Sequence, residues 1–106
     1  MKRLFAVLML TACTAQAEDR LTLGVQNQSD HAMVRLSVWE VRPDGSSVDD
    51  NLGGIGEPIP AHAKPAIDLA IIRCFEHLRV IVTYDDGYEA SQDMNYCETQ
   101  TIVFEH

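Results

Sequence analysis

A small antiparallel β-sandwich is the fold this sequence predicts, and three features point to it. Apolar residues recur with a period of two rather than 3.6 from Arg20 onward. Turn-forming clusters of Gly, Pro, Asn and Asp break that alternation at short intervals. Two cysteines, Cys74 and Cys97, stand far apart in a chain too short to bury a large core.

The first strand runs from Leu21 to Val25, where Leu21, Leu23 and Val25 alternate with Thr22 and Gly24. Asn27-Gln28-Ser29-Asp30 is a turn cluster. Met33 to Val41 forms the second strand, with Val34, Leu36 and Val38 on one face and Arg35, Ser37 and Trp39 on the other. Trp39 and Val41 make the second face partly apolar, which predicts a bulge or partial cover. Arg42 to Pro60 is expected to be loop, because Pro43-Asp44-Gly45 signals a turn and Gly53, Gly54, Gly56 and Pro58 oppose regular structure. Leu52 and Ile55 are expected to dip into the core from it.

Ala66 to Ile72 is the third main strand, with Ile67 and Leu69 alternating and Pro65 opposing a helix. Leu78, Val80, Val82 and Tyr84 give the cleanest alternation in the chain. Asp86-Gly87 is a two-residue hairpin signal, Tyr88 to Met94 returns, and Thr99 to Phe104 completes the set. Six to seven short strands without a helical window predict a sandwich of immunoglobulin-like outline, or a partly open barrel.

The opening residues carry an export signal. Met1-Lys2-Arg3 is basic, Leu4 to Leu10 is unbroken apolar sequence, and Ala15-Gln16-Ala17 offers the small-x-small pattern of a signal peptidase site. Even extended to Ala15, the apolar stretch is about 12 residues, too short for a helix crossing a bilayer core of roughly 30 Å. One domain is expected, with 1–17 as signal peptide and 18–106 as the disulfide-stapled sandwich. Leu10-Thr11-Ala12-Cys13 also fits a lipobox, in which Cys13 is acylated and anchors the product to a membrane. The short apolar run favours soluble release after Ala17, and the anchored lipoprotein stays as the alternative.

Losing Lys2 and Arg3 takes Lys and Arg from 8 to 6 against 16 Asp and Glu, deepening the net charge from −8 to about −10. No basic patch exists, so nucleic acid is excluded as a partner. Whichever peptidase acts, Cys74 and Cys97 remain to pair, and an even pair in a small exported chain predicts a disulfide. Closing a loop of about 24 residues stabilises the fold by roughly 3 kcal/mol. The compartment implied is periplasmic or extracellular.

Chemistry is harder to find. Asp44, Asp49, Asp50 and Asn51 could offer oxygens to Ca2+, but their spacing departs from the EF-hand loop, and a solvated acidic loop explains them. The same holds for Asp85-Asp86 as turn residues. His31, His62, His77 and His106 lack the spacing of metal motifs; His31 and Met33 lie two apart, as Cu+ ligands on a strand would. No metal or cofactor is assigned from this pattern. Ser29, Ser37, Ser46, Ser47 and Ser91 sit in no nucleophile-elbow context and no phosphate loop exists, so no catalytic residue is assigned and an enzyme is not expected. A small hydrolase with a site spread along the chain is the rival. Trp39 has two readings: filler between sheets, or, exposed beside Arg35, an interaction spot. The function expected is binding to a macromolecule of the cell envelope, with weak metal binding as a third class.

Val25-x-Asn27, Leu52-Gly53, Pro60, Cys74-x-x-x-Leu78-Arg79, Asp86-Gly87 and Asn95-Tyr96-Cys97 together resemble a loose set of small exported proteobacterial proteins of unknown function with a two-cysteine β domain. The pattern in that set has Cys-x-x-Asp-Leu-Arg and a terminal Leu-Cys. His77 stands here where the set has Asp, and Tyr96 where it has Leu. The resemblance implies fold and export, not an activity.

Overall fold

The computed structural model describes residues 21–71 and 73–106, and only the backbone of Asp49 and Asp50. The expected signal peptide, with Cys13, Ala15 and Ala17, lies outside the described residues. Among the described residues seven strands follow one another: β1 Leu21–Gln28, β2 Met33–Val41, β3 Ser47–Gly54, β4 Ala66–Leu69, β5 Leu78–Tyr84, β6 Glu89–Met94 and β7 Thr101–Glu105. They form one sheet of order β6-β5-β2-β3-β4-β1-β7. Every pairing is antiparallel except β1 with β7, which run parallel from Gly24↔Thr101 to Gln28↔Glu105. Among the described residues no helix is long and apolar enough to cross a membrane.

The sheet curls toward closure without its edge strands pairing. β3 and β4 meet at one register pair, Gly53↔Leu69, and from that narrow joint the halves β6-β5-β2-β3 and β4-β1-β7 share one core. Leu23 and Val25 of β1, Leu36 and Val38 of β2, Leu78, Val80 and Val82 of β5, and Ile102 and Phe104 of β7 belong to the same buried cluster. The free edges approach each other as well, since Gln92 of β6 donates through Nε2 to the Val103 carbonyl of β7 at 2.7 Å. The result is a sandwich verging on a barrel.

β2 shows why alternation alone misjudged one face. Met33 and Leu36 are both buried although three apart, while Val34 is exposed. The register against β5 slips between Met33 and Arg35, so Val34 is an extra residue in a bulge and turns outward. The register against β3 slips on either side of Trp39, but the extra residues there belong to β3, and β2 itself pairs with β5 without a break from Arg35 to Glu40.

The stretch expected to be wholly loop contains β3. Ser47–Gly54 has poor strand propensity, but the hairpin at Pro43-Asp44-Gly45 delivers it alongside β2, whose backbone groups supply its partners. Leu52 and Ile55 pack on the core as expected. Both hairpins use one device: Gly45 donates its N–H to the Arg42 carbonyl and Gly87 to the Tyr84 carbonyl, each at 2.9 Å. These glycines take φ of 91° and 89°, so each turn is three residues long with glycine left-handed. The Asp86-Gly87 hairpin is therefore one residue longer than the two-residue turn its dipeptide suggests.

Cys74 and Cys97 are joined, their Cα atoms 5.1 Å apart. Tyr96 beside them is buried, and its hydroxyl donates to the Thr22 carbonyl. A tyrosine thus ties the disulfide region to β1 where leucine could only pack. Arg79 makes a two-pronged pair with Asp93, Nε and Nη2 reaching its two oxygens at 2.7 and 3.1 Å, while His77 is exposed.

Candidate functional site

Two places on this fold carry more than packing requires. One is the outer face of β6-β5-β2-β3. Register places Trp39 opposite Arg79, and Arg79 opposite Asp93. Two steps along each strand come Ser37, Ile81 and Ser91, then Arg35, Thr83 and Glu89. Trp39 therefore does not fill the space between the sheet halves. It lies half-buried on the solvent side, its indole N–H donating to Ser37 Oγ at 2.9 Å. Arg35 is exposed and makes no hydrogen bond or ion pair among the described residues. Arg35, Ser37, Ile81, Thr83 and Glu89 line a shallow concavity on this face.

The second place is one end of the sheet. The parallel pairing of β1 with β7 brings their C-terminal ends together, and Met33↔Tyr84 brings the start of β2 beside the end of β5. His31 from the β1–β2 turn, Asp85 and Asp86 from the β5–β6 hairpin, and His106 after β7 converge there. His31 Nδ1 lies 2.9 Å from Asp85 Oδ1, and His31 Nε2 lies 3.7 Å from Asp86 Oδ2. His106 Nε2 is 2.7 Å from that same Asp86 oxygen. The hydrogen bond to His106, with a second from the Tyr88 N–H, holds the Asp86 carboxyl below its usual pKa.

The backbone around this corner is pinned. Asn27, buried among strand ends, donates through Nδ2 to the carbonyls of His31 at 2.9 Å and Pro60 at 3.0 Å. Ser29, one of the serines considered as a nucleophile, is buried and gives its hydroxyl to Asn27 Oδ1 at 2.7 Å. The Asp85 N–H bonds to the Ala32 carbonyl at 2.9 Å. The His106 ring stacks on Tyr88 at 4.3 Å between centroids, nearly parallel, and meets Tyr84 at 4.7 Å. Tyr84 is buried with its hydroxyl unpaired among the described residues, and that desolvation, with Tyr88 and Asp86 nearby, raises its pKa.

Sequence spacing gave no sign of this corner, because its members stand at positions 31, 85, 86 and 106. The His31–Met33 pair, considered for Cu+, is not assembled: Met33 is fully buried in the core. Of the acidic loop, Asp44 spends Oδ1 on the N–H and hydroxyl of Ser46 at 2.9 and 2.7 Å, which is turn duty. The side chains of Asp49 and Asp50 lie outside the described residues.

No protein-family model and no curated protein matches the chain. Among solved structures it is similar to a protein from Eubacterium rectale determined by NMR, at 12% identity and a TM-score of 0.58. The match covers 84% of this chain and 80% of that one. At that identity the likeness shows a shared fold.

Proposed function

We propose that the chain is exported and works outside the cytoplasm as a binding module, offering the outer face around Trp39 to a protein partner of the cell envelope. The observation that carries this reading is the position of Trp39 on solvent-facing sheet, with Arg35 on the same face. A large aromatic ring held by a hydrogen bond and, four residues along the same strand face, a guanidinium without a partner among the described residues are both of the residue types enriched among the side chains that carry binding energy at interfaces. The partner it suits presents a carboxylate to Arg35 and a flat apolar surface to Trp39. Export is supported by the basic and apolar N-terminal segment, by the resemblance to exported two-cysteine proteins, and by a disulfide of the kind that persists in oxidising compartments.

Intact mass of the product from producing cells tests export. Loss of residues 1–17 is expected; acylation at Cys13 would replace soluble release by the anchored form, and an uncut chain would end the proposal. A photo-crosslinking residue at position 81 tests the face, with a second at Thr99 as control. One adduct of defined mass from position 81, lost on Trp39→Ala in a variant that melts normally, is expected. No adduct, or equal adducts from both positions, would overturn it.

A further inference from the structure

His31, Asp86 and His106 each direct a metal-ligating atom into the same space, and these atoms lie within 4.8 Å of one another. We propose that the three bind one borderline divalent transition-metal ion, such as Zn2+, with a further coordination position left to solvent or a ligand. This does not depend on the Trp39 face or on the compartment.

Donor chemistry selects the ion class. Two imidazoles and one carboxylate suit Zn2+, Cu2+ or Ni2+; Ca2+ and Mg2+ require an all-oxygen shell. Three protein ligands with one position open is the zinc arrangement of reactive rather than purely structural sites. Distances agree. Two ligand atoms about 2.05 Å from Zn2+ at a tetrahedral angle lie about 3.3 Å apart. Asp86 Oδ2 is 3.7 Å from His31 Nε2 and 2.7 Å from His106 Nε2. Shifts of about half an ångström reconcile these two pairs, while the His31–His106 pair, within 4.8 Å, closes by up to about 1.5 Å of ring movement to reach tetrahedral spacing.

The surroundings are arranged as such a site needs. When His31 Nδ1–H donates to Asp85 Oδ1 at 2.9 Å, the lone pair is left on Nε2, the atom that faces Asp86. A carboxylate behind a ligating histidine fixes both tautomer and ring orientation. Asp85 is held in turn, its Oδ2 accepting the Ala32 N–H at 3.3 Å. Asp86 divides its oxygens between two tasks: Oδ1 accepts the Tyr88 N–H at 3.0 Å, while Oδ2 faces both histidines. The His106 ring is held against Tyr88 and Tyr84, and its side chain is only 21% exposed. With neutral imidazoles the corner carries two negative charges and no Lys or Arg partner among the described residues, and a divalent cation neutralises it.

The competing account makes these contacts nothing more than histidine–carboxylate hydrogen bonds. Calorimetric titration of untagged, chelator-stripped chain with ZnCl2, together with NMR of the histidine rings, separates the two. One Zn2+ per chain is expected, with ring signals of His31 and His106 shifting and those of His62 and His77 unmoved. His106→Gln and Asp86→Asn should each weaken binding at least tenfold, and Asp85→Asn by roughly 10–100-fold through the ring it orients. His62→Gln and His77→Gln should bind as wild type. Absence of heat and ring shifts at millimolar Zn2+, or undiminished binding by both His106→Gln and Asp86→Asn, would overturn the site. Should either variant fail to fold, the wild-type ring shifts alone decide.

Discussion

Asn27 and Pro60 stand 33 positions apart, yet the Asn27 amide donates to the Pro60 carbonyl at 3.0 Å from a side chain that is 1% exposed. The same amide serves the His31 carbonyl, and its own oxygen accepts from Ser29. One buried side chain thus satisfies backbone groups of two turns that have no strand partners, at the end of the sheet where His31, Asp86 and His106 meet.

Replacing Asn27 by Leu keeps the bulk and removes every one of those bonds, leaving the His31 carbonyl to Ser29 alone and the Pro60 carbonyl to the Ala63 N–H alone. The expected loss is roughly 2–4 kcal/mol, read as a lower urea midpoint at unchanged slope. A loss within 0.5 kcal/mol or so would mean that water replaces the amide there.

The disulfide closes residues 23 apart in sequence. Reduction, or the double replacement Cys74→Ser with Cys97→Ser, should lower stability by roughly 3 kcal/mol on the chain-entropy account. Urea unfolding with and without reductant measures it. An unchanged midpoint would show that Tyr96 and the strand ends hold this region unaided.

Two glycines should respond in opposite directions. A Cβ at Gly53 would come within 2.8 Å of Leu69 Cδ2, itself buried at the β3–β4 joint, so Gly53→Ala should cost about 1–3 kcal/mol through displaced core. Gly56 has open space and no left-handed φ, so Gly56→Ala should be neutral or stabilise by up to ~1 kcal/mol by restricting the unfolded chain. Thermal melts of the pair settle both.

Acid should weaken the Arg79–Asp93 ion pair. The Arg79 hydrogen bond, and then its charge, depress the Asp93 pKa in the folded state. A depressed carboxylate contributes stability that is fully present above its unfolded pKa of about 3.9 and is lost as pH falls through the folded value. Asp93→Asn should therefore be less stable than wild type at pH 7, and the gap should close toward pH 2. A gap independent of pH would mean that the charge is not what Asp93 contributes.

Much of the fold was legible because its determinants are local. β1 and β5 alternate clearly, glycine sits where each hairpin needs a left-handed residue, and setting Cys13 aside in the expected signal peptide leaves Cys74 and Cys97 one partner each. β3 was not legible: its residues do not favour a strand, and it exists because β2 lies beside it with backbone groups to pair. Nor was the parallel partnership of β1 and β7, since nothing within either strand marks the other.

Period-two hydrophobicity, turn chemistry and the cysteine pair determined that this protein is a small β domain with one disulfide, since each acts over a few residues or follows from a count. Tertiary structure alone decided that Trp39 faces outward, and that His31, Asp86 and His106 share one corner. Bulges reset which side chains face the core, and strand pairing joins ends that the sequence separates. Both depend on the summed packing of the whole sheet rather than on any single stretch of it.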